Sequence, residues 1–178
     1  ELARKHKVDL VLAVGGGSVV DCSKGIAASA KAEGDVFTRF WVNQEEVTND
    51  TLPVAAVLTM AGTGSEMNTG SVITETATKQ KIGRLFDERL APRFSILNPE
   101  YTMTLPEYQM KSGIFDTFSH LMEQYFSDTE VTTSDYLNEG LMRGLIANAR
   151  KAVANPTDYE ARSNLMWAAT VALNGLMG

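Results

Sequence analysis

Residues 8–14 (VDLVLAV) form a short apolar run rich in β-branched side chains, and Gly15, Gly16 and Gly17 end it abruptly. A run apolar on both faces reads as a buried strand of a parallel sheet. Ser18 with Asp21 three residues on has the form of a capping box, so a helix is expected from Ser18 through SKGIAASAKA to near Gly34. Strand, tight turn and helix in that order commit this part of the chain to α/β architecture. Residues 52–59 (LPVAAVLT) are a second buried strand, and 94–97 (FSIL) a third, closed by Asn98 and Pro99. Between them, 71–74 and 81–85 read as a minor strand pair. Residues 35–51 read as a polar loop with a short helical turn, and 60–70 as a loop of small residues.

The texture changes after Asn98. Thr104, Pro106 and Glu107 form a helix start, and helical patterns fill 105–127, 133–154 and 157–177. Asn155-Pro156 separates the last two, and Thr157 with Glu160 restarts the chain as a second capping box. Trp167, Ala168, Ala169, Val171 and Leu173 read as a core-facing stripe. The methionines of this half also read as core. The expected fold is α/β followed by all-α, with one unit over 1–98 and another over 99–178.

Composition matters mainly for what it excludes. A net charge of −6 repels phosphate backbones and argues against nucleic acid as a partner. No apolar run reaches membrane-spanning length, and residues 1–7 are too polar for a signal peptide. The one cysteine, Cys22, has no internal partner and reads as a small buried packing residue, which suits a reducing cytoplasm. The chain lacks a starting Met and stops at Asn174-Gly175-Leu176-Met177-Gly178, so a piece of a longer protein, cut at both ends, is expected.

Chemistry can gather at three places. Gly15-Gly16-Gly17-Ser18 lies between a strand and a helix, where glycines admit a phosphate close to free N–H groups and the helix dipole favours it. Asp21 falls near that dipole. A ligand-free tight turn has the same residues. Thr59 to Glu66 (TMAGTGSE) follows the next strand in the same way, and loops at the C-terminal ends of parallel strands face one crevice. Thr63, Gly64 and Ser65 bring hydroxyls and bare backbone to it. Finally, Asp116 and His120 are four apart in a helical segment and so share one face, a carboxylate and an imidazole suited to a divalent metal. A surface Asp–His pair is the alternative. Two ligands are fewer than the three or more a catalytic metal generally has. The other histidine, His6, lies between Lys5 and Lys7 and reads as solvated. Glu123 is either support for the pair or plain surface. Lys79, Lys81 and Arg84 read as a solvated face from which one cation could reach a phosphate or ribose.

These segments together resemble the iron-containing (group III) alcohol dehydrogenases: GGGSVVDCSKGIA (15–27), LTMAGTGSE (58–66), ILNPEYTMTLP (96–106), DTFSHLMEQY (116–125) and MWAATVALNGLMG (166–178). They occur in the family's order and cover nearly the whole chain. SHLMEQY and MWAATVALNG point to the NADPH-dependent butanol dehydrogenase and aldehyde reductase branch. The resemblance implies the C-terminal part of a Rossmann-like parallel-sheet domain and the start of a helical metal-binding domain, with the active site in the cleft between them. It implies NADP or NAD as cofactor, with its pyrophosphate on Gly16, Gly17 and Ser18 and Asp21 nearby. Thr59, Thr63 and Ser65 would line the cofactor site, and Lys81 would touch the ribose region. Asp116 and His120 match the first two of four ligands to a divalent metal, iron or zinc. The other two are histidines downstream of ALNG, so little or no activity is expected of this chain alone. A small alcohol or aldehyde would be the substrate and a homo-oligomer, such as a dimer, the assembly. A sister enzyme of the glycerol dehydrogenase or dehydroquinate synthase kind, or a non-catalytic self-associating fragment, are the alternatives.

Overall fold

In the computed structural model, residues 1–127 and 133–177 are described. The connection 128–132 and Gly178, the last residue of the 166–178 motif, lie outside them. A short helix α1 (Leu2–Lys5) precedes strand β1 (Val11–Gly15). Helix α2 (Gly17–Ser29) follows at once, then a π-helical turn at Thr38–Val42, and then β2 (Val54–Leu58). An antiparallel hairpin comes next, β3 (Gly70–Thr74) with β4 (Lys81–Leu85), and then the short β5 (Ser95–Ile96). Strands β1, β2 and β5 form one parallel sheet in the order β1-β2-β5, pairing Val11 with Val54 and Val57 with Ile96. Helices α3 (Glu107–Tyr125), α4 (Thr133–Ala154) and α5 (Tyr159–Ala172) complete the chain. The α/β-then-all-α order is therefore as expected.

Strand β1 is covered on one face, while β2 is buried on both. Val54 joins Ala27 and Ala28 in a core, and Ala13 and Ala56 pack with Val20, so α2 lies over the face carrying these residues. Strand side chains alternate between faces. Leu12 and Val14 therefore point the other way, and they are 51% and 58% exposed. The strand expected to be buried on both faces is thus buried on one. The stretch 35–51, expected as polar loop, supplies the largest side chains of the α/β core. Phe40 and Trp41 are buried, Trp41 stands edge-on to Phe86, and its indole N–H donates to the Ser71 carbonyl at 3.1 Å.

Three helix starts differ from the capping patterns. Helix α2 begins one residue early, on Gly17, with Gly16 at its cap and no side-chain cap bond. Asp21 lies beyond the first turn, where its carboxylate accepts from the Val72 N–H at 2.9 Å. A carboxylate facing a buried strand edge serves the strand's orphan donor before it can serve the helix end. Helix α3 begins after Pro106, with no bond from Thr104. At α5 the cap is Asp158, accepting from the Ala161 N–H, because Asn155 takes the N–H and hydroxyl of Thr157.

Two packing expectations also change. Trp167 is 59% exposed, on the opposite side of α5 from the buried Ala161, Leu165, Ala168 and Ala172. Cys22 is exposed, on the side of α2 turned away from the sheet. Met110 and Met166 are buried as expected, while Met122 is 38% exposed.

Candidate active site

The two small-residue loops meet. Strands β1 and β2 run in register, and the Thr59 N–H donates to the Gly15 carbonyl at 3.0 Å, so both chains leave the sheet side by side. A Cβ on Gly16 would lie 3.1 Å from Met60 Cβ, and one on Gly17 would overlap the Thr63 side chain. Gly17 has no room for a side chain unless Thr63 moves, and Gly16 only a tight one. The first N–H groups of α2, from Gly17 and Ser18, precede any partner four residues back in the helix, and no side chain caps them. That leaves donors and the positive end of a dipole at the loop, which suits an anion. Ser18 is exposed beside them, Thr59 and Thr63 are half-buried, and Ser65 is buried in the 3₁₀ turn Ser65–Met67. The Thr63 hydroxyl accepts from the Ser65 N–H at 3.3 Å.

The second loop also touches the helical half. A Cβ on Gly62 would lie 3.1 Å from Gly113 Cα and 3.2 Å from the Asp116 carboxylate. A Cβ on Gly113 would overlap the Ala61 carbonyl. Helix α3 thus crosses loop 60–64 backbone to backbone, and Asp116, one turn beyond Gly113, stands at the loop. The His120 Nε2 is 3.8 Å from the Asp116 Oδ1, and its side chain is mostly buried. That separation exceeds a hydrogen bond. It is near the roughly 3.4 Å between two ligands of one tetrahedral ion at usual bond lengths. The His120 Nδ1 is buried and has no hydrogen-bond partner among the described residues. These residues fit part of a metal site. Among the described residues no group of three or more His, Cys, Asp or Glu gathers to complete one. His6 is exposed at the end of α1.

The basic residues of the hairpin divide. Lys79 and Lys81 are exposed, Lys81 opening β4 opposite Thr74. Arg84 is not part of a solvated face. It donates to the Phe40 and Glu45 carbonyls, lies over the Phe86 ring, and burial lowers its pKa.

Sequence reasoning missed the most enclosed charge nearby. Lys24 is 0% exposed, and its ammonium donates to Asn68 Oδ1 at 3.1 Å and the Gly70 carbonyl at 2.8 Å. Burial lowers its pKa from 10.5 to about 8, against the opposing pull of Asp21 and Glu66. Glu66 is buried too, accepting from the Thr170 hydroxyl of α5 at 2.5 Å. The one available signal was a lone lysine among small residues in SKGIAASA.

Known proteins resemble this chain along nearly its whole length. The family profile described as "Iron-containing alcohol dehydrogenase" matches residues 1–99, and "Fe-containing alcohol dehydrogenase family, C-terminal" matches 110–177. NADH-dependent butanol dehydrogenase A of Clostridium acetobutylicum is 43% identical over 99% of this chain and 45% of its own length. The NADPH-dependent aldehyde reductase YqhD of Escherichia coli is 40% identical over 100% of this chain and 46% of its own. The crystal structure of NADH-dependent butanol dehydrogenase A from Thermotoga maritima superposes with a TM-score of 0.93 at 43% identity, covering 99% of this chain and 44% of that one. The chain thus spans less than half the length of the relatives it matches.

Proposed function

The chain belongs to the iron-containing alcohol dehydrogenase family, and we propose that it carries the pyrophosphate loop and half of the metal site of an oxidoreductase moving hydride between NAD(P)H and a small aldehyde or primary alcohol. One observation carries this reading: loop 60–64 touches the Gly15–Gly17 loop on one side and the Gly113–Asp116 turn on the other. A phosphate-binding loop and a carboxylate–imidazole pair thereby share one cleft.

Within it, the Gly17 and Ser18 N–H groups hold the pyrophosphate, and Gly16 and Gly17 allow its approach. Thr59, Thr63 and Ser65 border the dinucleotide. Lys81 reaches the ribose region from the hairpin, and Asp21 serves the cofactor indirectly, by holding β3 through Val72. Asp116 and His120 hold a divalent cation, iron or zinc, which polarises the alcohol or aldehyde oxygen when bound. The protein's part is to set the reacting carbon against the nicotinamide in a cleft shielded from water. The change in texture at Asn98 marks the boundary between the cofactor-binding and the metal-binding unit. With two candidate ligands among the described residues, this stretch by itself binds metal weakly and turns over little. Its composition and lone cysteine fit a cytoplasmic setting.

The test is a zinc titration by calorimetry with and without NADPH. We expect weak zinc binding that His120→Ala abolishes, while NADPH binding survives the substitution. Zinc affinity unchanged in His120→Ala would overturn the metal assignment. A second reading, self-association without catalysis, is favoured by the uncovered Leu12–Val14 face of the sheet.

A further inference from the structure

We propose that Lys24 is a positioning residue whose buried ammonium fixes the cofactor helix against the metal helix, so that the glycine loop and the Asp116–His120 pair keep their separation. The inference rests on the reading above for its functional meaning, though not for its structural test.

One hydrogen-bond path joins the two helices. Helix α2 begins at the glycine loop, and Lys24 lies two turns along it. Its ammonium binds Asn68 Oδ1 and the Gly70 carbonyl, just past the second loop and its 3₁₀ turn. The Asn68 amide donates onward to the Leu173 carbonyl at the end of α5, at 3.1 Å. From the other side, the Gln124 amide of α3 donates to the neighbouring Ala172 carbonyl. Gln124 stands one turn beyond His120 on the same helix. Glu66 adds a parallel strut, joining the 3₁₀ turn to α5 through Thr170. The path therefore runs from the pyrophosphate helix to the metal helix through side chains that are buried or half-buried.

A purely space-filling lysine would not be built this way. Burying an ammonium is costly, and an apolar side chain of equal length is often neutral or stabilising in its place. Here the charge faces Asp21 on its own helix and Glu66 from the 3₁₀ turn, while the hairpin offers it only the neutral oxygens of Asn68 and Gly70.

Lys24→Met and Thr170→Val test the proposal on the full chain, by hydrogen exchange read peptide by peptide. We expect residues 65–73 and 168–173 to exchange about tenfold faster or more in both variants, with 54–58 and 141–152 unchanged. Unchanged exchange in those two segments, or uniform loosening everywhere, would overturn it. If Lys24→Met does not fold, Asn68→Leu, which removes an acceptor of the ammonium and the bond onward to Leu173, takes its place. A pH series separates the charge from the packing. The folded lysine releases its proton near 8 and the unfolded one near 10.5. Between those values the unfolded state binds more protons, so stability rises with pH. The wild-type melting temperature should therefore rise relative to that of Lys24→Met from pH 7.5 to 10, and no relative rise counts against the proposal. NADPH titration completes the set: about threefold weaker binding or worse is expected in both variants. If NADPH binds the variants as tightly as the wild type, the proposal fails. If the wild type binds no NADPH, the functional reading fails while exchange still decides the role of Lys24.

Discussion

Gly113 shows how tightly single residues are specified. It sits inside α3, where glycine costs about 1 kcal/mol relative to alanine. The cost is accepted because a Cβ there would overlap the Ala61 carbonyl, a backbone atom that cannot swing aside. Gly113→Ala should therefore destabilise the chain by about 1–3 kcal/mol despite its better helix propensity, as read by urea unfolding. A gain in stability would mean that helix and loop are not in contact. The glycine loop itself was legible in the sequence as a tight turn, because glycines between an apolar run and a helix mark one. The role of Gly113 was not, since its reason lies in a loop 50 residues away. Lys24 was hidden for the same reason: a helical lysine reads as solvated until the elements around it are known.

At the scale of elements, the strands were legible as β-branched runs and the hairpin as two short runs flanking a turn. Helix existence was legible and helix ends were not. Ser18 and Thr157 have the right chemistry for caps, but Gly16 and Asp158 occupy the positions. Local pattern proposes several cap candidates within a turn of each other, and tertiary contacts choose among them. Helix α5 depends on Asp158, whose carboxylate accepts from the Ala161 N–H at 2.9 Å. Asp158→Ala should cost about 1 kcal/mol in chemical denaturation, while Thr157→Ala costs a few tenths at most. Equal losses would return the cap to Thr157. The π-helical turn was legible only as a short helical turn, because its aromatic content said nothing about which core it would enter.

For the whole molecule, the order α/β then all-α was anticipated, and the open face of strand β1 was not. Leu12 and Val14 leave one face of β1 open, Ile96 of β5 is exposed on the same side, and Phe115 is 71% exposed on α3 beside a groove of about 540 Å³ that Ile146 and Val153 of α4 also line. Apolar surface on this scale usually marks a contact. A concentration series in analytical ultracentrifugation should show assembly above the monomer mass, and Leu12→Lys with Val14→Lys should return it to monomer. A monomer at every concentration would remove the self-association reading. Among the described residues no helix is long and apolar enough to cross a membrane.

The bonds from Asn68 to Leu173 and from Thr170 to Glu66 join residues 105 and 104 positions apart. Closing so long a loop is entropically slow, whereas β1, α2 and β2 are near neighbours in the chain. The order of assembly follows. The sheet and its covering helix can form early, and the helices can find one another locally. The seam between them closes last, so a nascent chain has its glycine loop before Asp116 packs on loop 60–64.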